Sequence, residues 1–391
     1  MPQHQFRNTL MSDTQHTPKE EMTMTTTNIK KTSKKNCLIY AALVAASMMG
    51  VIGSTQTLAH AKGNTDPTSS SVVTNVKALQ ALKDGDKEAF DTSIQLGADA
   101  LVVGDYEAAI SAGVTWINDF DESQLNAWDA LALVRSPEGI STEKATAIYN
   151  NILALYPGTN HQVTDYERDI IGLVAIGEDP TNVNGTNLIQ ETIDGIADGQ
   201  GDIYAVMYGL LALISADTKG IGDYQSEIDT LTTRLINMQN SDGYWTDEYG
   251  YTLDVTGMVM QALGSYQGTI DTSTSIFSAQ GAVQNILLQP DTGEFLDPEQ
   301  GTDSINSSSD AMIIAGLAAC DIDPDELGAT VSPVDALLSY QVPEGETDAG
   351  SFNWQPALTY SRQSATQEAV YTLDQFDYFK ANKGSIYNFS E

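Results

Sequence analysis

The sequence predicts an all-α protein, an α/α toroid of six inner and six outer helices, and three observations predict it. First, apolar residues recur at spacings of three and four over most of the chain. Val255, Met258, Val259, Ala262 and Leu263 are one such set, and that spacing places them on one helix face. Second, Leu133, Leu173, Leu213, Leu263, Leu317 and Leu373 head successive segments, separated by 40, 40, 50, 54 and 56 residues. A period of this size is that of stacked helical hairpins. Third, the second helix of each hairpin carries few charges and many Ala, Gly, Met and Leu residues, as a helix enclosed on most sides must. Hairpin repeats form either an open superhelix or a ring, and the enclosed second helices favour the ring.

Residues 1–28 are polar and patternless, with Met22 and Met24 as alternative starts. Lys30, Lys31, Lys34 and Lys35 then precede an apolar run from Cys37 to Gly53 and an Ala59-His60-Ala61 cleavage pattern. This predicts a secretory signal peptide cut after Ala61; an uncleaved anchor is the alternative, although the run is short for spanning a bilayer. The expected organisation is a leader and signal peptide over 1–61, a linker and N-terminal helical segment over 62–104, and the helical domain over 105–391.

Within that domain the pairs are expected at 106–120 and 124–134, 142–156 and 164–176, 186–197 and 202–215, 223–239 and 253–265, 277–289 and 307–320, and 333–341 and 364–379. Thr164 with Glu167, and Ser364 with Gln367, fit the capping-box pattern. Pro157, Pro180, Pro290 and Pro324 fall just beyond helices, where proline is favoured.

The chain carries a net charge of −35. Without the first 61 residues, 12 basic residues stand against 50 acidic ones. Such a balance excludes nucleic acid as a partner, because its backbone needs a basic surface, and it disfavours anionic lipid. Cys37 lies in the targeting segment, so Cys320 remains alone and no intrachain disulfide is expected in the mature chain. Cys320 fits a small core residue better than a reactive thiol. The one histidine beyond residue 61, His161, reads as a solvated loop residue.

The most informative stretch runs from Gln239 to Tyr266. A turn, Asn240-Ser241-Asp242-Gly243, leads into Tyr244 and Trp245, a tyrosine-rich acidic bend, and a helix from Leu253. Gln239-Asn-Ser-Asp-Gly-Tyr-Trp245 and Asp254-Val-Thr-Gly-Met-Val-Met-Gln-Ala-Leu263, with Asn306 to Met312 and Ala365 to Leu373, resemble the terpenoid-cyclase and protein-prenyltransferase toroid superfamily. The resemblance is nearest to the transcobalamin-like, prenyltransferase-repeat surface proteins of Gram-positive bacteria. It implies a closed double ring of helices and, in the rim, a ring-shaped ligand such as a corrinoid. The superfamily mixes enzymes with binding proteins, so the fold alone does not choose between them.

In such a ring the N-termini of the inner helices share one rim with the loops that precede them. Aromatic walls with a few amides and carboxylates hold flat or sugar-like ligands. The candidate ligand contacts are therefore Tyr244, Trp245, Tyr251, Asp254, Asn306, Ser308, Asp310, Trp354, Tyr360, Gln363 and Gln367. Tyr244 and Trp245 also fit a purely structural turn, and Asp254 and Asp310 fit first-turn positions near the helix dipole.

Catalytic readings find little support. No D-x-D-D string is present, and Asp321-Ile-Asp323-Pro-Asp325 reads as a helix stop. A diphosphate site lacks the basic residues it would need. A zinc site or a Ser-His-Asp site would depend on His161 alone. A glycosidase needs two opposed carboxylates, for which Asp247, Glu248, Asp254, Glu294 and Asp310 are candidates in a chain rich in acids. The expectation is a secreted or cell-surface, monomeric, non-catalytic binding protein without a resident cofactor, its partner a small molecule or a cell-wall or host glycan. An extracellular enzyme acting on polysaccharide or terpenoid, and an adhesive structural module, are the alternatives.

Overall fold

The structure is a computed structural model that describes residues 105–391, except 157, 159–160, 198–200, 356–361, 391 and the side chain of 303. The leader, signal peptide and N-terminal segment expected over 1–104, and with them Cys37, lie outside the described residues, as do Pro157 and Tyr360.

The described residues are all-α. Twelve helices follow in order: α1 Tyr106–Asn118, α2 Ala127–Arg135, α3 Thr142–Leu155, α4 Val163–Ala175, α5 Leu188–Ala197, α6 Ile203–Thr218, α7 Gln225–Met238, α8 Leu253–Ser265, α9 Ser273–Ala282, α10 Ser307–Ala319, α11 Pro333–Leu338 and α12 Arg362–Lys380. Extended structure among them amounts to isolated bridges in the loops, such as Leu288 with Phe295 and Gln341 with Phe352. No helix among the described residues is long and apolar enough to cross a membrane.

The starts of these helices are written locally. Asp105, Asn126, Ser141, Asp202, Asn306 and Ser332 each cap a helix by accepting a backbone N–H of its first turn. The two expected capping boxes are corrected. α4 begins at Val163, with the Asp165 carboxylate accepting the Gln162 N–H at 2.9 Å, while Glu167 turns into the core. Ser364 lies inside α12, and Gln367 donates to Asp129 Oδ1 at 2.6 Å. The reciprocal box is formed instead by Asn126 and Asp129. α9 starts four residues before the expected 277 and ends in a π turn over Val283–Leu287. The Asp321–Asp325 string does stop a helix: Asp321 takes φ 58° and Asp323 caps the short turn Pro324–Glu326.

The even-numbered helices pack in a cycle, α2 on α4, α4 on α6, α6 on α8, α8 on α10, α10 on α12, and α12 back on α2. Each odd-numbered helix packs on one or both neighbouring even ones. All six marker leucines lie on even helices and are buried. α8 and α10 approach closely. A Cβ on Gly257 would sit 2.3 Å from the Met312 backbone, so the two helices touch main chain to main chain.

One joint recurs in the last three hairpins. Trp245, Phe295 and Phe352 are each fully buried two residues after a turn glycine. Their backbone N–H groups are accepted by Thr256, Asp310 and Thr366 of the following even-numbered helix at 2.8–3.1 Å. The turn glycine then meets the backbone of the next odd-numbered helix or of the residues leading into it. For Gly350 that helix is α1: with φ 88° and the Ala112 carbonyl 2.5 Å from where a Cβ would stand, only glycine fits.

At the other ends of the even helices the C-terminal segment is seated. Arg135 donates to the Ile386 and Asn388 carbonyls at 2.6 and 2.7 Å and lies over the Phe389 ring at 3.8 Å. Ser385 meets Ser265 at the end of α8, and the Phe389 N–H reaches Thr218 at the end of α6. Ile386, Tyr387 and Phe389 are buried there.

Candidate functional site

The loop residue two places after each buried aromatic reaches back to the preceding even-numbered helix. Asp247 accepts the Tyr204 hydroxyl of α6 at 3.1 Å. Asp297 accepts the Thr252 N–H at the start of α8 at 2.9 Å. The Trp354 carbonyl accepts the Ser307 N–H at the start of α10 at 3.0 Å. These ties gather the starts of α8 and α10 and the last two loops around a cleft of about 260 Å³.

Five of the expected residues line that cleft: Tyr251, Asp254, Asn306, Ser308 and Trp354. Tyr251 is exposed, while Asp254, Ser308 and Trp354 are half-buried. Asn306 contributes shape rather than free polar groups. Its oxygen caps α10 on the Ser309 N–H, and its amide nitrogen is spent on the Ser304 carbonyl and the Ser309 hydroxyl.

Asp254 differs, because its Oδ1 is shut off from solvent and meets no hydrogen-bond donor. Burial raises its carboxyl above the ordinary range; a hydrogen bond from Ser309 opposes the rise, and the carboxylates of Asp297 and Asp247 add to it. Behind Ser308 stands Glu368 of α12. Its carboxyl is pushed up to about 7 by burial, against the Ser308 hydrogen bond and with the help of Asp254. Glu368 Oε2 also lacks a partner. Asp297, by contrast, is saturated, because besides Thr252 it accepts the N–H groups of Glu299 and Gln300.

The other expected contacts are elsewhere. Trp245 is a core residue: it is fully buried and its indole N–H donates to the Leu235 carbonyl at 2.7 Å, so the expectation of ligand contact is corrected. Asp310 is likewise corrected, being fully buried with Oδ1 spent on the Phe295 N–H. Tyr244 is half-buried on its turn and does not line the cleft. Gln363 and Gln367 both donate to the Asp129 carboxyl, at 3.2 and 2.6 Å, and so serve the α2–α12 junction. Gln367 also lines a separate cavity of about 500 Å³ beside Trp128 and Arg168.

Three further expectations meet the structure here. His161 is stacked on Tyr156 at 4.6 Å rather than solvated. Cys320 is half-buried with its thiol on the Met260 carbonyl, and burial raises its pKa. No group of three or more metal-ligating side chains occurs among the described residues.

Sequence reasoning passed over Asp297 and Glu368. Asp297 could have been found by aligning Phe295-Leu-Asp297 with Trp245-Thr-Asp247. Glu368 stands two residues after Thr366, where the two preceding even-numbered helices carry Met258 and Met312 after Thr256 and Asp310. Those methionines receive the hydroxyls of Tyr208 and Tyr371, so the position faces the interior and an acid there is out of pattern.

No known family model matches this chain, and no curated protein matches it either.

Proposed function

We propose that the chain is an α/α toroid whose rim cleft binds a small hydroxyl-rich ligand, in a secreted or cell-surface binding protein. The closed cycle of contacts among the six even helices supports the toroid, and the −35 charge and the signal-peptide pattern support life outside the cell. The single observation that carries the binding reading is the cleft itself. It sets the aromatic side chains of Tyr251 and Trp354 against the polar groups of Asp254, Ser308 and Gln300. Rings supply apolar faces for a sugar, while carboxyl and hydroxyl groups match its hydroxyls.

At about 260 Å³ the cleft lies near the lower bound of small-ligand sites. That size favours a monosaccharide or a glycan end over a corrinoid. Binding is favoured over hydrolysis because Asp297 spends both oxygens on backbone N–H groups, and Glu368 is not among the lining residues. Among the described residues that line the cleft, Asp254 then has no second carboxylate free to act opposite it.

The test is ligand-dependent thermal shift of the full chain against monosaccharides, wall and host oligosaccharides and a corrinoid. A sugar should raise the melting temperature. Trp354→Ala should abolish that shift while helix content stays unchanged. A panel in which no compound moves the melting temperature would end the reading.

A further inference from the structure

The cavity beside Trp128 shares no lining residue with the rim cleft. It is lined from the starts of α2 and α12, the end of α3 and the middle of α4, and it encloses about 500 Å³. That volume falls inside the range of small-ligand sites.

Three of its side chains offer hydrogen-bonding groups whose direction is fixed. Gln367 is 3% exposed and gives its Nε2 to Asp129 Oδ1 at 2.6 Å. An ionised carboxylate only accepts, so the amide orientation is set and Oε1 is left over. This oxygen has no donor among the described residues, and unlike Asp254 Oδ1 it is not shut off from solvent. Asn151 is held in the same manner. Its Nδ2 donates to the main-chain carbonyls of Glu122 at 2.7 Å and Leu125 at 2.9 Å, which leaves Oδ1 over. The indole N–H of Trp128 has no acceptor among the described residues. Its ring is braced by Tyr208 and Tyr371, with centroids 5.7 and 6.1 Å away. The cavity therefore presents two acceptors and one donor from residues that line it.

The charges around it cancel locally. Arg168 and Asp169 are the charged residues among the described ones that line the cavity. Arg168 donates to Asp165 at 3.1 Å and to Asp169 at 3.0 Å, and the second Asp169 oxygen accepts the Tyr156 hydroxyl at 2.9 Å. Asp169 thus has no oxygen left for a cation, and the guanidinium already meets two carboxylates, so an anion gains little. The ligand that fits is uncharged. A purely apolar one would leave the buried Gln367 oxygen without a donor, which is costly. Leu125, Ile152 and Leu155 supply branched aliphatic walls. Such walls suit an aliphatic side chain, whereas a sugar ring is better held on aromatic faces.

We propose that this cavity binds an uncharged peptide segment carrying an aliphatic side chain. Two peptide N–H groups meet Gln367 Oε1 and Asn151 Oδ1, a peptide carbonyl accepts the Trp128 indole N–H, and the side chain rests on Leu125, Ile152 and Leu155. The site is independent of the rim cleft.

The experiment is calorimetric titration of the full chain with tripeptides blocked at both ends by acetyl and amide groups. Alanine–leucine–alanine is compared with the same peptide carrying glutamate or lysine at its centre, and with esters in which oxygen replaces one backbone N–H at a time. The leucine peptide should bind at least about tenfold more tightly than either charged one. Two acceptors predict that two of the esters bind more weakly than the parent, each by about threefold to tenfold. Gln367→Met, similar in length and without the oxygen, should erase one of these losses and keep the other, with helix content unchanged by circular dichroism. Equal affinities for leucine and charged peptides overturn the proposal, and so do esters that all match the parent. An N-acetylglucosamine disaccharide that binds the Trp354→Ala variant, disabled at the rim cleft, more tightly than the leucine peptide assigns the cavity to a glycan and overturns it too. Failure of every peptide to bind removes this site and leaves the rim-cleft reading standing, because sugars and Trp354 test that reading. If Gln367→Met perturbs folding, Leu155→Arg is the second variant. Leu155 is 46% exposed, so the larger side chain fills the cavity from its open wall; it must abolish peptide binding, and unchanged affinity counts against the proposal.

Discussion

The side-chain amide of Gln341 donates to the Ala109 carbonyl at 2.9 Å, bridging 232 residues and tying the last hairpin to the first helix. The same amide holds the Gly350 carbonyl of its own loop at 3.0 Å. Gln239 makes the same pair of bonds two hairpins earlier, to Gly243 at 2.7 Å and to Ser275 of α9 at 2.9 Å. Closure therefore uses the joint that links ordinary neighbours. Gln341→Ala leaves two carbonyls without this donor and should cost about 1–3 kcal/mol, read as a lower urea midpoint. Gln289 occupies the equivalent place but bonds only Leu287, at 3.4 Å, so Gln289→Ala should cost less. Equal losses would mean that the joint does not carry the closure.

The main-chain contact between α8 and α10 gives a steric prediction. A methyl group on Gly257 meets the Met312 backbone at 2.3 Å, and neither helix can yield without moving its other neighbours. Gly257→Ala should destabilise by about 2–4 kcal/mol. Gly281, on α9, has open space around its Cβ direction, and Gly281→Ala should stabilise by up to about 1 kcal/mol through helix propensity. Chemical denaturation of the two variants measures the contrast. A neutral Gly257→Ala would show that the two helices do not meet main chain to main chain.

The helix pairs were legible in the sequence because their signals are local. The caps Asn126, Asp202 and Asn306 and the three-and-four spacing of apolar residues need no knowledge of the partner helix. The site was legible only in part, because direction is decided by distant groups. Trp245 follows a turn glycine just as a rim aromatic would, yet the Leu235 carbonyl and the Thr256 hydroxyl draw it inward. Asp310 looked equivalent to Asp254, but Asp254 is second in its helix and Asp310 is fourth. That fourth place belongs to the joint, as Thr256 shows. Glu368 escaped notice because its meaning lies in the methionines of the two preceding even-numbered helices.

Several buried acids make stability depend on pH, with a definite sign. Asp129 is pushed up to about 6, Glu368 to about 7 and Glu167 to about 9, in each case chiefly by burial. Their ordinary values are 3.8, 4.5 and 4.5. A folded-state pKa above the unfolded one gives stability that is complete below the unfolded value and is lost as pH rises through the folded one. The melting temperature should therefore fall steadily from mildly acidic to mildly alkaline buffer. Glu167 is fully buried, and neither of its oxygens has a partner. Glu167→Gln should gain on the wild type by up to about 1.4 kcal/mol per pH unit across this range. A melting temperature that climbs with pH, or a constant gap between the two proteins, would contradict the assignment.

The C-terminal segment gives the last prediction. It covers the C-terminal ends of α2, α6 and α8 through Arg135, Thr218 and Ser265. Phe389 is 6% exposed and lies under the Arg135 guanidinium, so both ring burial and a cation–π contact depend on it. Phe389→Ala should cost about 3–5 kcal/mol and speed hydrogen exchange at the C-terminal ends of α6 and α8. Because the cleft lies at the opposite end of α8, the shift produced by a bound sugar should persist in this variant at temperatures where it remains folded. A loss below about 1 kcal/mol would show a tail that rests on the helices without sealing them, and ligand entry from that end would then have to be considered on equal terms with entry at the rim.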